Sequence, residues 1–205
     1  MTDSRADDIV KQQERLKSER GVFESHWQEI AELVRPMRAD FTARLVGGAK
    51  RTGKVFDGTP GLAAENMAAG LWGMVTNSAN DWFQLRHPIE EINQRREVRL
   101  WLDACAGRIR DALSANGQRF YAKVLELYQD LVTFGTAVFY TEEMPARRRV
   151  FYSCRHLAEC FIAEDDRERI DTLYRKFEWT ARQAMQRWGD RVSEPIRRCA
   201  DRGEN

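Results

Sequence analysis

The chain has 205 residues, of which 42% are hydrophobic and 32% charged. That length buries one good core, or one core with an extended arm, and the mix describes a folded protein with a heavily charged surface. Lys and Arg number 33 against 32 Asp and Glu, which argues against a protein dedicated to wrapping nucleic acid, since that work shows a basic excess. The first ten residues are polar and acidic with no apolar signal core, and no run approaches the ~18 apolar residues a bilayer span requires.

The first predicted element is one long helix over residues 5–35. Ile9, Leu16, Phe23 and Ile30 recur at heptad spacing, and Trp27 and Val34 widen the apolar face toward the C-terminal half. The first half, a charged rod with a thin apolar stripe, is expected to project from the core. Pro36 ends the helix, so that 1–36 form an N-terminal helical arm. Residues 38–56 read as a basic, glycine-bearing surface loop. Gly48, Gly53 and Lys54 satisfy part of a phosphate-loop pattern, but Val55 stands where a Mg²⁺-binding hydroxyl is needed, and Phe56-Asp57-Gly58 breaks a helix rather than starting one.

A turn at Asp57-Gly58-Thr59-Pro60 then leads into a helix over 60–76 of mostly small and apolar residues. Thr59 is expected to cap it, with Pro60 in the first turn where its missing N–H costs nothing. Ala63, Met67, Gly70 and Met74 recur at helical spacing, and Ala64, Ala68, Ala69 and Gly73 keep the surface shallow. Glycine costs helix stability, so these residues predict a close approach by a neighbour and an assembly role rather than a catalytic one. Trp82-Phe83 follows; flanked by Asp81 and Gln84 rather than by basic residues, the pair reads as a core or subunit-contact anchor, not a base-stacking platform.

An amphipathic helix is predicted over 95–115, through Val98, Trp101, Leu102, Cys105 and Ile109, closed by Asn116-Gly117. Another follows over 119–134 and is punctuated by Gly135. The period then changes to that of strands. Residues 136–141 and 149–153 pair across a turn at Met144-Pro145, and 159–163 and 170–178 form a second hairpin across Asp165-Asp166-Arg167. Thr180 with Gln183 is a capping-box signature for a short helix ending at Gly189. The expected fold is therefore α+β: one long and three medium helices, a small antiparallel sheet and a short closing helix, with 37–190 forming the α+β domain. Residues 191–205 read as an unpatterned tail that stops abruptly.

No constellation points to catalysis. His26, His87 and His156 are far apart, and Cys105, Cys154, Cys160 and Cys199 lack metal-ligand spacing; Cys154, His156 and Cys160 would need a fourth ligand to hold zinc. Glu142-Glu143 and Asp165-Asp166 fall at turns, where solvated pairs are ordinary. No catalytic residue, cofactor or metal is expected. Weak candidates for phosphate contact are Lys50, Arg51 and Lys54 in the loop and Arg147, Arg148 and Arg149 on the hairpin edge, where basic residues also guard a strand against unwanted pairing.

The order of these elements resembles the head-to-tail connecting (portal) proteins of short-tailed bacteriophages. The resemblance rests on the Asp57-x-Thr59 turn, the small-residue helix and Trp82-Phe83-Gln84-Leu85, flanked by Arg15–Arg20 and Trp27–Glu32 upstream. Downstream it continues through Leu127–Leu131, Phe134–Ala137, Tyr174–Phe177 and Thr180–Gln183, so that it spans about residues 10–190. It implies a structural virion protein whose ring admits DNA pumped by terminase, releases it into the host, and docks tail components. The chain would then be the N-terminal, wing-like part, a truncated prophage product or a trimmed chain. Its implied partners are other portal subunits, terminase, capsid and tail or adaptor proteins, and double-stranded DNA passing without sequence specificity, with no membrane. The implied location is the portal vertex of the virion, and the bacterial cytoplasm during assembly. Met67, Gly70, Gly73, Trp82 and Phe83 are the candidate subunit or packing contacts. The competing classes are a cytoplasmic nucleotide-binding protein using the Gly48–Lys54 loop and a small DNA-binding adaptor.

Overall fold

A computed structural model of the chain describes residues 4–42, 46–115, 119–144 and 149–203. Helix α1 spans Ser4–Val34 and stops where Pro36 opens a 3-10 turn, Pro36–Arg38. Its C-terminal half supplies Trp27, Ile30 and Ala31 to the main core, where they meet Ala39, Phe41, Phe134 and Leu157. The rings continue this packing from Trp27 to Phe41 at 5.6 Å and from Phe41 to Phe134 at 5.3 Å. The N-terminal half corrects the projecting-arm expectation. Residues 5–12 are exposed, but Gln13 and Leu16 are buried, and the Tyr174 hydroxyl donates to Gln12 Oε1. Arg20 donates to the carbonyls of Leu157 (2.8 Å), Ala158 (3.1 Å) and Cys160 (2.6 Å) and lies over the Phe161 ring. A guanidinium meets three carbonyls at once because its donors form a fixed fork.

Helix α2, Thr59–Val75, starts and ends one residue earlier than expected. Thr59 is its first residue rather than its cap: Asp57 Oδ1 accepts both the Thr59 N–H (3.0 Å) and the Thr59 hydroxyl (2.8 Å). The Asp-x-Thr pair is thus a self-contained turn that aims the helix. Inside the chain α2 packs on helix α5, Phe120–Phe134, with Ala68 fully buried. Its close approach is at Gly61, where a methyl group would sit 3.2 Å from Val34 O. Gly70 and Gly73 are not crowded: a Cβ at either would meet nothing within 4 Å, so the tight packing expected of them is not made within this chain.

A short helix α3, Glu90–Asn93, precedes α4, Arg96–Ser114; the Asn116-Gly117 stop lies outside the described residues. Gly135 closes α5 at φ +74°, its N–H bonding Leu131 O at 2.9 Å. Strands β1, Val138–Met144, and β2, Arg149–Arg155, pair antiparallel from Val138↔Arg155 to Met144↔Arg149; Pro145 of the expected turn lies outside the described residues. Strands β3, Cys160–Glu164, and β4, Ile170–Arg175, form a second two-stranded sheet, so the single small sheet is in fact two hairpins. Asp165 shapes the β3–β4 turn by accepting the N–H groups of Arg167 (2.8 Å) and Arg169 (2.9 Å).

Helix α6, Ala181–Trp188, carries the complete capping box of Thr180 and Gln183, and Gly189 follows it at φ +54°. A further helix, α7, Glu194–Asp201, with Pro195 in its first turn, occupies much of the stretch that reads as unpatterned. Its eight residues give fewer than three turns of periodicity to read.

Candidate assembly surface

On α2 the inward face consists of Gly61, Ala64, Ala68, Leu71 and Trp72. The opposite face is also apolar. Leu62, Ala63, Met67, Ala69, Gly70 and Met74 are exposed, Met67 at 60% and Met74 at 87%, with Asn66 among them and the exposed, charged Glu65 at the flank. A helix whose outer face is as apolar as its inner one, but for Glu65 and Asn66, is suited to packing on both faces. The small residues leave a shallow strip between the two methionines, whose flexible, polarizable side chains adapt to a partner's contour. Gly73, half-buried at the edge of this strip, and Gly70 leave the space open.

Trp82 and Phe83 are not part of that strip. Trp82 stacks on Phe120 at 6.3 Å, meets Phe83 edge-on at 4.7 Å, and its Nε1–H donates to the Tyr121 hydroxyl at 3.2 Å. Arg110 of α4 covers the Phe83 ring at 5.6 Å, donates to the Phe83 carbonyl at 3.2 Å and pairs with Asp81 at 3.0 Å. The pair therefore anchors the connection between α2 and α4 against α5.

Beneath α2 lies an ionic junction. Asp130 of α5 is 1% exposed. It accepts hydrogen bonds from Arg35 and from the Cys154 thiol at 3.2 Å and forms an ion pair with Arg38 at 3.0 Å, while Arg35 also donates to Gln129 Oε1 at 2.8 Å. It ties the end of α1, the 3-10 turn after it, α5 and β2 into one unit. Burial pushes the Cys154 thiol up to about 12, with the Asp130 charge adding to the rise, and burial alone carries most of the rise of Cys160 to about 11. Both are protonated, inert thiols at neutral pH. The sequence carries a sign of this junction. Leu127, Asp130, Leu131 and Phe134 share one helical stripe, so a carboxylate sits on an apolar face and needs buried cations.

The remaining candidates are dispersed. Lys54 pairs with Glu32 at 2.6 Å and Arg51 with Asp40 at 2.8 Å, while Lys50 is exposed. Arg149 is exposed at the start of β2; Arg147 and Arg148 lie outside the described residues. The helix after Lys54 begins only at Thr59, so no helix N-terminus stands where a phosphate loop would place one, and the nucleotide-binding alternative has no support. No group of three His, Cys, Asp or Glu side chains converges as a metal site among the described residues.

The chain thus combines helices, one of them with an exposed largely apolar face, with two hairpins around a buried ionic knot. Over residues 6–205 the chain matches the model of the bacteriophage head to tail connecting protein family, and it belongs to that family. It is 28% identical over 208 residues to the portal protein of Salmonella phage epsilon15, covering 99% of this chain and 36% of that protein. It is 32% identical over 191 residues to the probable portal protein of Bordetella phage BPP-1, covering 92% of this chain and 34% of that protein. The chain spans about a third of the length of these curated relatives.

Proposed function

We propose that this chain provides wing-like structure to a phage portal, the ring at one vertex of the head through which DNA is packaged and ejected. Family membership supports the class, and the outward apolar face of α2 supports the assembly role. In this reading Met67, Gly70 and Gly73, with Met74, contact a neighbouring portal subunit, while Trp82 and Phe83 hold that surface in place from beneath. The work is structural rather than enzymatic. Terminase, capsid and tail or adaptor proteins are the further partners, and double-stranded DNA passes without being read. The site of action is the virion, reached by assembly in the host cytoplasm; among the described residues no helix is long and apolar enough to cross a membrane.

The α2 face is small for a stable contact on its own. Its 17 residues make a helix roughly 25 Å long, and a face about 10 Å wide offers about 250 Å², against about 800 Å² per partner in a stable complex. The chain by itself is therefore a weak assembler. The test is a fusion of this chain to the part of the epsilon15 portal protein beyond the matched region, imaged by negative-stain electron microscopy. Rings are expected with Met67 in place and are lost with Met67→Glu, the subunit melting unchanged. Rings that persist with Met67→Glu overturn the assignment.

A further inference from the structure

His156 joins β2 to the 3-10 turn Leu157–Glu159 and caps that turn. Its Nδ1 accepts the Ala158 N–H at 3.0 Å, its ring stands edge-on to Phe41 at 5.3 Å, and its Nε2 is enclosed with no hydrogen-bond partner among the described residues. The turn it caps presents the Leu157 and Ala158 carbonyls that, with that of Cys160, hold Arg20 of α1. The Glu159 carbonyl accepts the Lys176 N–H at 2.8 Å, which fastens the end of β4 to the same turn. One imidazole thus stands at the head of the contacts by which α1 lies on the β3–β4 hairpin.

An Nδ1 that accepts leaves the ring's single proton on Nε2. A second proton would turn both nitrogens into donors, with Nδ1–H facing the Ala158 N–H and Nε2–H still unpaired. We propose that His156 is an acid-sensitive latch: its neutral ring holds the Leu157–Glu159 turn closed on Arg20, and its protonation releases α1 from the β3–β4 hairpin. The charged groups around the ring come from every side. Arg38 and Asp40 flank it from the segment after α1, Asp130 from α5 and Glu159 from its own turn. Lys17, Arg20 and Glu24 of α1, and Lys176 and Glu178 beyond β4, line the same cleft. Burial, with the Arg38 charge, lowers the proton affinity of His156, and Asp130, Asp40 and Glu159 oppose that only in part.

The direction follows from linkage. A released His156 titrates near the ordinary ~6.5, and the docked one below it. Docking is complete above about pH 6.5 and weakens as the pH falls, by at most about tenfold per unit for one proton. The experiment measures amide exchange by NMR at Ala158 and through residues 12–20 of the whole chain at pH 7.5 and pH 5, corrected for the intrinsic effect of pH on exchange. Wild-type protection should fall by as much as about thirty-fold. His156→Asn, whose side-chain oxygen accepts the same N–H without titrating, should stay flat, and His26→Gln should behave as wild type. An equal acid loss in His156→Asn, or no loss in wild type, overturns the proposal. Should His156→Asn not fold, the ¹⁵N shifts of the wild-type imidazoles decide. Charging of His156 in step with the loss of protection supports the latch, and a His156 that stays neutral while protection is lost overturns it.

Discussion

Replacing Asp130 by Asn keeps the side chain's shape and removes its charge, which makes it the sharpest perturbation of the ionic junction. The amide oxygen still accepts from one arginine, but its NH₂ group then faces the other, donor against donor. Arg35 and Arg38, whose side chains are 19% and 17% exposed, then form two half-buried cations with no anion between them. Breaking a buried pair from one side costs about 3–5 kcal/mol, and because the arginines keep some contact with water, the lower end, about 3 kcal/mol, applies here. For a chain of this size each kcal/mol moves the melting temperature by roughly 2–4 °C, so a fall of roughly 6–12 °C is expected by circular dichroism or calorimetry. Glu142→Gln, which removes the carboxylate of the solvent-facing pair with Arg187, should leave the melt unchanged. A shift below about 2 °C for Asp130→Asn would refute the view that this junction holds the unit together.

Gly73→Leu should not lower the chain's own melting temperature, because a Cβ there meets no neighbouring element within 4 Å and a helix interior favours Leu over Gly; a lower melt would show that α2 packs more closely inside the chain than described. Thr180→Ala removes the capping box that starts α6 and should cost about 1 kcal/mol, read as a drop of roughly 2–4 °C in the same melt. Of the four cysteines, Cys154 and Cys160, held protonated at about 12 and about 11, should resist a thiol reagent at pH 8 in the native state, while Cys105 and Cys199, partly accessible, should react. Fast labelling of all four would contradict that burial.

Local signals carried much of the architecture. The heptad stripe of α1, the apolar periodicity of α4 and α5, Gly135 and the Thr180–Gln183 box each act within a few residues, and each marks its element in the structure. What escaped the sequence depends on partners distant along the chain. Arg20 reads as one charge on a polar rod, yet its carbonyl partners lie 137 to 140 residues away. For the same reason nothing local distinguishes one sheet from two hairpins, since strand pairing is decided by neighbours the pattern does not name. The small residues of α2 announce that something comes close without saying from which side. Gly61 meets α1 within the chain, and Gly70 and Gly73 remain open. Trp82 and Phe83 stand out locally as an aromatic pair, but their intrachain neighbours Phe120, Tyr121 and Arg110 come from helices further along the chain. The Asp130 junction was readable as a carboxylate on an apolar stripe, but its cations were not, because Arg35 and Arg38 flank a proline turn whose direction only the folded chain sets.

The outward face of α2 is the centre of the functional account, and sedimentation velocity of the 205-residue chain over a concentration series tests it most directly. The account predicts weak, concentration-dependent association of the wild type, in roughly the micromolar to millimolar range for so small a face. It also predicts that Met67→Glu abolishes the association while the melting temperature holds. Identical sedimentation of wild type and Met67→Glu at every concentration would contradict it.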